Sequence, residues 1–441
     1  MRRIRRVALT WIIVCSGFSA LWGFSMVRAS PNLMIDFKGI YYFTRCLLQH
    51  TDPYQPSEPL RIYLADGVNR PMPPNEPLQV LTLDEYTPTT FIFVAPFATL
   101  PWETAAVLWA MLGFGGIIVA AFLMWDLASC YAPAISCCLI CFILANCEIL
   151  FTIGNPAAIA ISLCAVCVWC FLKDRFVWVG VLCLAASLAI KPHDAGFVWL
   201  YFLLAGAPYR KRALQTLAIT AVIGLAAIAW VTPIAPHWVQ EWHSNLIAIS
   251  GHGGICDPGP AASNGRGPIM IIGLQSVVAV FRDDPRIYNS VSLLICGALL
   301  LIWAFRALRV LVSETNTYLA LAAVAPLTLL VSYHRAHDSK LLLLAVPACA
   351  MLWASGRLIR WLGLLFTSAA IVFTADMPLT ILKILTKNLH LSTTELSGQM
   401  LTVLVMWPAQ LTLLAMGIFY LWIYVRHDPI QCYPGTDKGN R

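Results

Sequence analysis

The sequence predicts an all-α, polytopic integral membrane protein of about 12–13 transmembrane helices, with two larger loops on one face. Three observations predict it. The 441-residue chain is 59% hydrophobic and only 12% charged, with a mean hydropathy of +0.74; soluble domains carry about 25% charged residues. Apolar runs recur along the whole chain, and they are continuous, which is not the alternating pattern of a β-barrel. The net charge of +7 comes from basic residues in short connecting segments. That pattern reads as topology anchoring, not as a nucleic-acid surface.

The elements follow in order. Arg2, Arg3, Arg5 and Arg6 precede an apolar run over 7–27. This run exceeds the h-region of a signal peptide, so it reads as an uncleaved signal-anchor with a cytoplasmic N-terminus. Further spans are expected near 103–125, 134–152, 157–172, 176–190, 195–208, 213–234, 288–305, 316–333, 340–355, 361–376 and 400–425. The basic clusters at 173–175, 210–212, 306–309 and 357–360, and Arg426, all face the cytoplasm by the positive-inside rule. Each neighbouring pair encloses two spans. The parity closes if the apolar stretch 89–100 dips into or lies on the membrane; thirteen spans result if it crosses. The extracytoplasmic loops are then 28–102, 153–156, 191–194, 235–287, 334–339 and 377–399, of which 28–102 and 235–287 are long. Residues 1–425 form one integral domain and 426–441 a short cytoplasmic tail.

Residues 36–50 place Ile40, Phe43 and Leu47 at helical spacing, which predicts an amphipathic helix lying on the membrane with Tyr41 and Tyr42 at the interface. Asp36 would then be a first-turn acid complementing the helix dipole. Cys164, Cys167 and Cys170 share one apolar helix and read as packing, since a metal site would want polar neighbours and a second ligand pair. Cys46 and Cys256 fall in extracytoplasmic loops and could pair. Adjacent Asp84 and Glu85, like Asp283 and Asp284, give only a weak cation signal. P-loop, nucleophile-elbow, zincin and dinucleotide motifs are missing.

Charged groups beside a membrane call for a functional reading. Asp36 and Lys38, Lys191–Asp194, His252 and Asp257, and His334–Lys340 all fall on the extracytoplasmic side. Lys191-Pro192 also fits a helix end followed by a helix start. The 334–340 cluster also fits a turn paired internally through Asp338. A lysine on this side runs against the positive-inside trend, and a lipid phosphate is the anion that would explain it.

Asp36, Tyr41-Tyr42, Arg45, Leu47-Leu48 and Asp52-Pro53-Tyr54 follow a signal-anchor. Tyr86-Thr87-Pro88 opens "APFATLPW", Gly154-Asn155 precedes a span, and "SLAIKP" ends at Pro192. Together these resemble the GT-C glycosyltransferases, and most closely glycosyltransferase family 87, the polyprenyl-phosphate-mannose-dependent mannosyltransferases. The chain has Tyr-Thr-Pro where that family often has Tyr-Pro-Pro, and its first loop is long.

The resemblance implies inverting transfer of a sugar, mannose by family habit, from a polyprenyl-phosphate donor on the extracytoplasmic face of the cell membrane. Asp36 matches the family's catalytic acid residue and would be the general base. Lys191, Arg335, His334 and His337 would hold the donor phosphate, and Tyr41, Tyr42, Arg45, Asn155 and His193 would contact sugar or acceptor. Acceptors would be a glycan, a glycolipid or a protein. No cofactor is expected and no metal ligand set stands out, with a divalent metal left open. Two other classes compete: an extracytoplasmic glycan polymerase or ligase, which needs no carboxylate just after the first span, and a lipid or solute transporter, which would carry midplane charges or inverted repeats.

Overall fold

The first span is one helix, α1 (Arg2–Ala29), whose Trp11, Phe18, Leu21 and Trp22 point outward as a lipid-facing surface would require. The coordinates are a computed structural model, which describes residues 2–29, 34–66, 82–83, 85–259, 271–356, 358–386 and 395–426. The expected tail beyond Arg426, together with Asp84 and Arg357, lies outside the described residues.

The long first loop carries three helices, α2 (Ile35–Leu48), α3 (Ser57–Ala65) and α4 (Pro88–Ala98). Then come α5 (Trp102–Ala128), α6 (Pro133–Ala145), α7 (Glu148–Ile153), α8 (Ala157–Lys173), α9 (Val177–Ile190), α10 (Pro192–Leu204) and α11 (Tyr209–Val231). The second loop holds α12 (Trp238–Ser250) and α13 (Gln275–Phe281). Next are α14 (Pro285–Arg309) and α15 (Glu314–Val331), a 3-10 segment (Ala336–Ala345), α16 (Val346–Ala354), α17 (Ile359–Phe373), α18 (Asp376–Thr386), α19 (Leu396–Met406) and α20 (Pro408–Arg426). Among the described residues the only β pairing is a single bridge, Ile271 with Arg335. The chain is an all-α polytopic membrane protein.

The apolar runs are helical as expected, but many are too short to cross alone. Seven helices are long and apolar enough, or eight if α17 and α18, bent by 66°, make one broken span. A 13-residue helix such as α10 rises about 20 Å, against a hydrocarbon core of about 30 Å. The breaks have local causes. Proline opens α6, α10 and α20, and the run at 340–355 begins as a 3-10 segment instead of an α-helix. The apolar stretch at 89–100 is α4, 11 residues long and too short to span.

The helix at 36–50 exists, but it does not lie on a membrane surface. Eleven of its residues are buried, Phe37, Ile40, Tyr41, Tyr42, Phe43 and Leu47 among them. Helices α3 and α4 cover it, and Phe37 stacks on Trp109 with ring centroids 4.5 Å apart. The sequence periodicity found one apolar face; the aromatic and threonine residues of the other face are buried as well. Cys46 and Cys256 are free thiols, so the possible pairing between them is absent. Cys164, Cys167 and Cys170 are buried in α8, as packing required.

The centre of the molecule is α15 with the 3-10 segment. Helix α15 packs on α10, α14, α20 and the 3-10 segment, and 83% of its most apolar window is buried. All ten residues of the 3-10 segment are buried, Asp338 and Lys340 included. Lys340 Nζ lies 3.1 Å from Asp376 Oδ1, and the Ile149 amide donates to Asp376 Oδ2 at 2.8 Å. One buried ion pair thereby ties the segment to α7 and α18. Its geometry makes removal of one partner costly, because the other charge is left in low dielectric. Lys340→Met should destabilise the detergent-solubilised protein by about 3–5 kcal/mol. The double variant Lys340→Met/Asp376→Leu should recover much of the loss in thermal melts; equal loss in both would refute the pairing account.

Candidate functional site

Two chain crossings build the site. At the first, Gly154 takes φ +67° after α7, and a Cβ there would come within 2.9 Å of Phe37 Cβ. Only glycine allows this left-handed turn so close to the first turn of α2. Asn155 follows and uses both ends of its amide. Its Oδ1 accepts the amide of Ala157, the first residue of α8, at 2.9 Å, and its Nδ2 donates to Asp36 Oδ2 at 2.7 Å.

The second crossing is the break between α9 and α10 at Lys191-Pro192. Thr89 and Thr90 of α4 donate to the Ala189 and Ile190 carbonyls at 2.6 and 3.2 Å, satisfying the end of α9. Lys191 is buried. Its ammonium reaches Asn155 Oδ1 at 3.3 Å, Asp194 Oδ2 at 3.4 Å, and Asp338 Oδ1 more closely still. Asp338 in turn accepts the Arg335 amide at 2.9 Å and lies 3.5 Å from His337 Nε2. A continuous polar chain therefore runs from Asp36 through Asn155 and Lys191 to Asp338.

This chain borders a cavity of about 450 Å³. Asp36, Asn155, Lys191, His193, Arg335, His337 and Asp338 line it, with Glu85, Thr87 and Tyr333. Trp242, Leu246, Ile249 and Ile255 supply apolar wall from the second long loop and α12. Arg335 is steadied by the Tyr333 hydroxyl, to which its Nε donates, and by the Ile255 carbonyl 3.2 Å from Nη2.

Six of the ten residues singled out from sequence line one cavity: Asp36, Asn155, Lys191, His193, Arg335 and His337. His334 sits behind the wall, fully buried, with Nε2 3.1 Å from Asp194 Oδ1. Tyr41, Tyr42 and Arg45 are not among the lining residues. The Tyr41 hydroxyl donates to the Leu100 carbonyl at 2.7 Å, Tyr42 packs on Tyr63 and Trp102, and Arg45 pairs with Asp66. Their place is structural, in an aromatic cluster beneath the cavity-lining end of α2. His252 and Asp257 also belong elsewhere: Asp257 staples its own loop through the amides of Gly253 and Gly259 at 2.7 and 2.8 Å and the Tyr288 hydroxyl at 3.1 Å.

Sequence reasoning missed Trp242 and gave Tyr333 no role of its own; it saw in Glu85, with Asp84, only a weak cation signal, and it named Asp194 only within the Lys191–Asp194 run. Asp338 it named only as an internal partner. Glu85 shows its side to the cavity, yet the cavity is deep enough that desolvation raises its pKa, Asp36 adding to the rise and Arg335 and Lys191 opposing it. The signals for it were its place beside Asp84 and directly before Tyr86-Thr87-Pro88.

The cavity can do three things chemically. It offers a hydrogen-bonded carboxylate at Asp36, cations at Lys191 and Arg335, and apolar and aromatic wall at Trp242. That combination suits a substrate with an anionic group and a hydroxyl to be deprotonated.

Because Glu85 holds its proton more tightly in the folded chain, ionising it costs stability as pH rises. Glu85→Gln should therefore raise the melting temperature relative to the wild type at pH 8 more than at pH 5. A pH-independent difference would refute the desolvation.

Compared with known protein families, residues 85–332 match the model of glycosyltransferase family 87. No curated protein and no solved structure matches the chain.

Proposed function

The chain belongs to glycosyltransferase family 87 and is a membrane glycosyltransferase, and from that premise we propose that the cavity transfers a sugar from a polyprenyl-phosphate donor to an acceptor hydroxyl. Asp36 is the general base, the anomeric carbon inverts, and mannose is the sugar. The site opens on the extracytoplasmic face of the cell membrane, with both termini in the cytoplasm and residues 1–425 as one catalytic unit.

The observation that carries this reading is the shared wall: Asp36, Lys191 and Arg335 line one cavity of about 450 Å³. The chemistry follows from their types. An attacking hydroxyl is a weak nucleophile until its proton leaves. Asp36 Oδ2 is held by Asn155, which leaves Oδ1 as the acceptor for that proton. As the glycosidic bond breaks, the leaving lipid phosphate gains negative charge. Fixed cations stabilise charge that develops in the transition state more than charge already present. Arg335, oriented by Tyr333 and Ile255, is the first candidate for this task. Lys191 shares its charge with Asp338 and Asp194, so its role is to hold the network and offer partial compensation. His337 adds a donor on the same wall, and His334 acts from behind it. A lipid-linked donor also fits the extracytoplasmic side, where nucleotide sugars are not supplied. The acceptor is a glycan, glycolipid or protein hydroxyl.

Asp36→Asn should lower turnover by about 10²–10⁴-fold while leaving the melting temperature and donor binding near wild type. Asn155→Ala should lower turnover less, by about tenfold, with little change in donor KM. Both are read with labelled polyprenyl-phosphate mannose and a panel of acceptors in detergent. Full activity of Asp36→Asn would sink the role of Asp36, and donor turnover only from a diphosphate-linked glycan would favour a polymerase or ligase. Transport without transfer in sealed vesicles would favour a transporter.

A further inference from the structure

We propose that His193, Asp194 and His334 form a binding site for a divalent transition-metal ion, of the Mn²⁺ or Zn²⁺ type, in the wall of the Asp36 cavity. The three residues come from two places. His193 and Asp194 occupy the first turn of α10, and His334 lies on the extended stretch after α15, where its carbonyl accepts the Ile272 amide at 2.9 Å. Their rings and carboxylate converge: one potential ligand atom from each lies within 4.8 Å of the others. The closest two, His334 Nε2 and Asp194 Oδ1, are 3.1 Å apart. Metal bonds of about 2.0–2.2 Å place neighbouring ligand atoms about 3.0–3.5 Å apart, so small side-chain movements close the set.

The hydrogen bonding around the triad is incomplete in a way that an ion would repair. Asp194 and His334 are fully buried. Both carboxylate oxygens of Asp194 and Nε2 of His334 lack a hydrogen bond of proper geometry, although Lys191 and His334 lie within ion-pairing distance of that carboxylate. Buried polar atoms of this kind are uncommon and call for a reason. His334 Nδ1 lies 3.3 Å from both the carbonyl and the hydroxyl of Ser332, so it donates to the one or accepts from the other according to its tautomer. With the proton on Nδ1, the Nε2 lone pair points at a carboxylate oxygen, and two acceptors face each other. A cation between them resolves the conflict, and a backbone carbonyl behind a metal-binding histidine is the usual outer partner.

The charge balance agrees. Around the triad the two carboxylates of Asp194 and Asp338 face one ammonium, Lys191, which lies 3.4 Å from Asp194 Oδ2 and closer still to Asp338. Two imidazoles and one carboxylate suit Zn²⁺ or Mn²⁺ better than the all-oxygen shells of Ca²⁺. Three protein ligands leave open positions, as in catalytic zinc sites. His193 lines the cavity, so the open side faces the space that the donor phosphate takes in the reading above. The ion site itself does not depend on that reading.

The test uses full-length protein in detergent, stripped with EDTA and titrated with Mn²⁺ alone, free Mn²⁺ being followed by electron paramagnetic resonance. One equivalent should bind per chain, and Zn²⁺ should displace it. Asp194→Asn and His193→Gln should each weaken binding at least tenfold, while Asp36→Asn should not. His193→Gln changes a side chain open to the cavity, and its thermal melt checks that the fold survives if Asp194→Asn does not fold. Absence of saturable Mn²⁺ or Zn²⁺ binding to the wild type overturns the proposal, as does unchanged binding in His193→Gln. A wild type that binds the ion but does not turn over a polyprenyl-phosphate sugar leaves this site standing and removes the donor assignment.

Discussion

The site depends on the buried contact between Lys191 and Asp338. It joins the break between α9 and α10 to the start of the 3-10 segment, elements 147 residues apart in sequence. Burying two charges is expensive unless geometry and further hydrogen bonds compensate. Here they do: Asp338 also receives the Arg335 amide, and Lys191 also reaches Asn155 and Asp194. Asn155 passes the constraint on to Asp36. The position of the carboxylate after the first span is thereby set by residues at the α7–α8 and α9–α10 breaks and in the 3-10 segment, and not by its own helix alone.

Much of this was legible in the sequence, for stated physical reasons. The apolar runs gave the class, because only helices satisfy backbone groups in lipid without a partner strand. Charges on the wrong side of the topology gave Lys191 and the 334–340 cluster. The reading of that cluster as a turn paired through Asp338 was also partly right, since Asp338 is paired, but to Lys191 as well as to the Arg335 backbone. What stayed hidden depends on distance in sequence. Nothing local marks Trp242 or Tyr333 as neighbours of Asp36, and Asp194, though named with Lys191, had no local sign of its contact with His334. The burial of α2 was hidden for a different reason. A helix with one greasy face and one aromatic face gives the same periodicity whether it lies on lipid or inside protein.

The aromatic cluster under α2 gives Tyr41 and Tyr42 a role other than sugar contact. Phe37 stacks between Trp109 and Trp102, with centroids 4.5 and 5.6 Å away. Tyr41 meets Trp102 edge-on at 5.2 Å and Tyr42 stacks toward it at 6.3 Å, and Lys38 lies 5.8 Å from that ring. These contacts hold α2 in one rotation about its axis. Since Asp36 precedes Phe37 by one residue, the rotation of the helix decides which way the carboxylate faces.

The 3-10 segment has a consequence for length. Ten residues at a rise of about 2.0 Å reach about 20 Å, where an α-helix of the same residues would reach about 15 Å. The difference is close to one α-helical turn. The segment behaves as a stretched ruler whose marks are Asp338 and Lys340, each matched to a carboxylate or ammonium on another element. Because the two marks lie two residues apart, winding them as an α-helix would change their relative height by only about 1 Å but turn their side chains by about 40° relative to each other. The narrower coil, unfavourable over such a length in isolation, is held open by the ion pairs that flank its two charged residues.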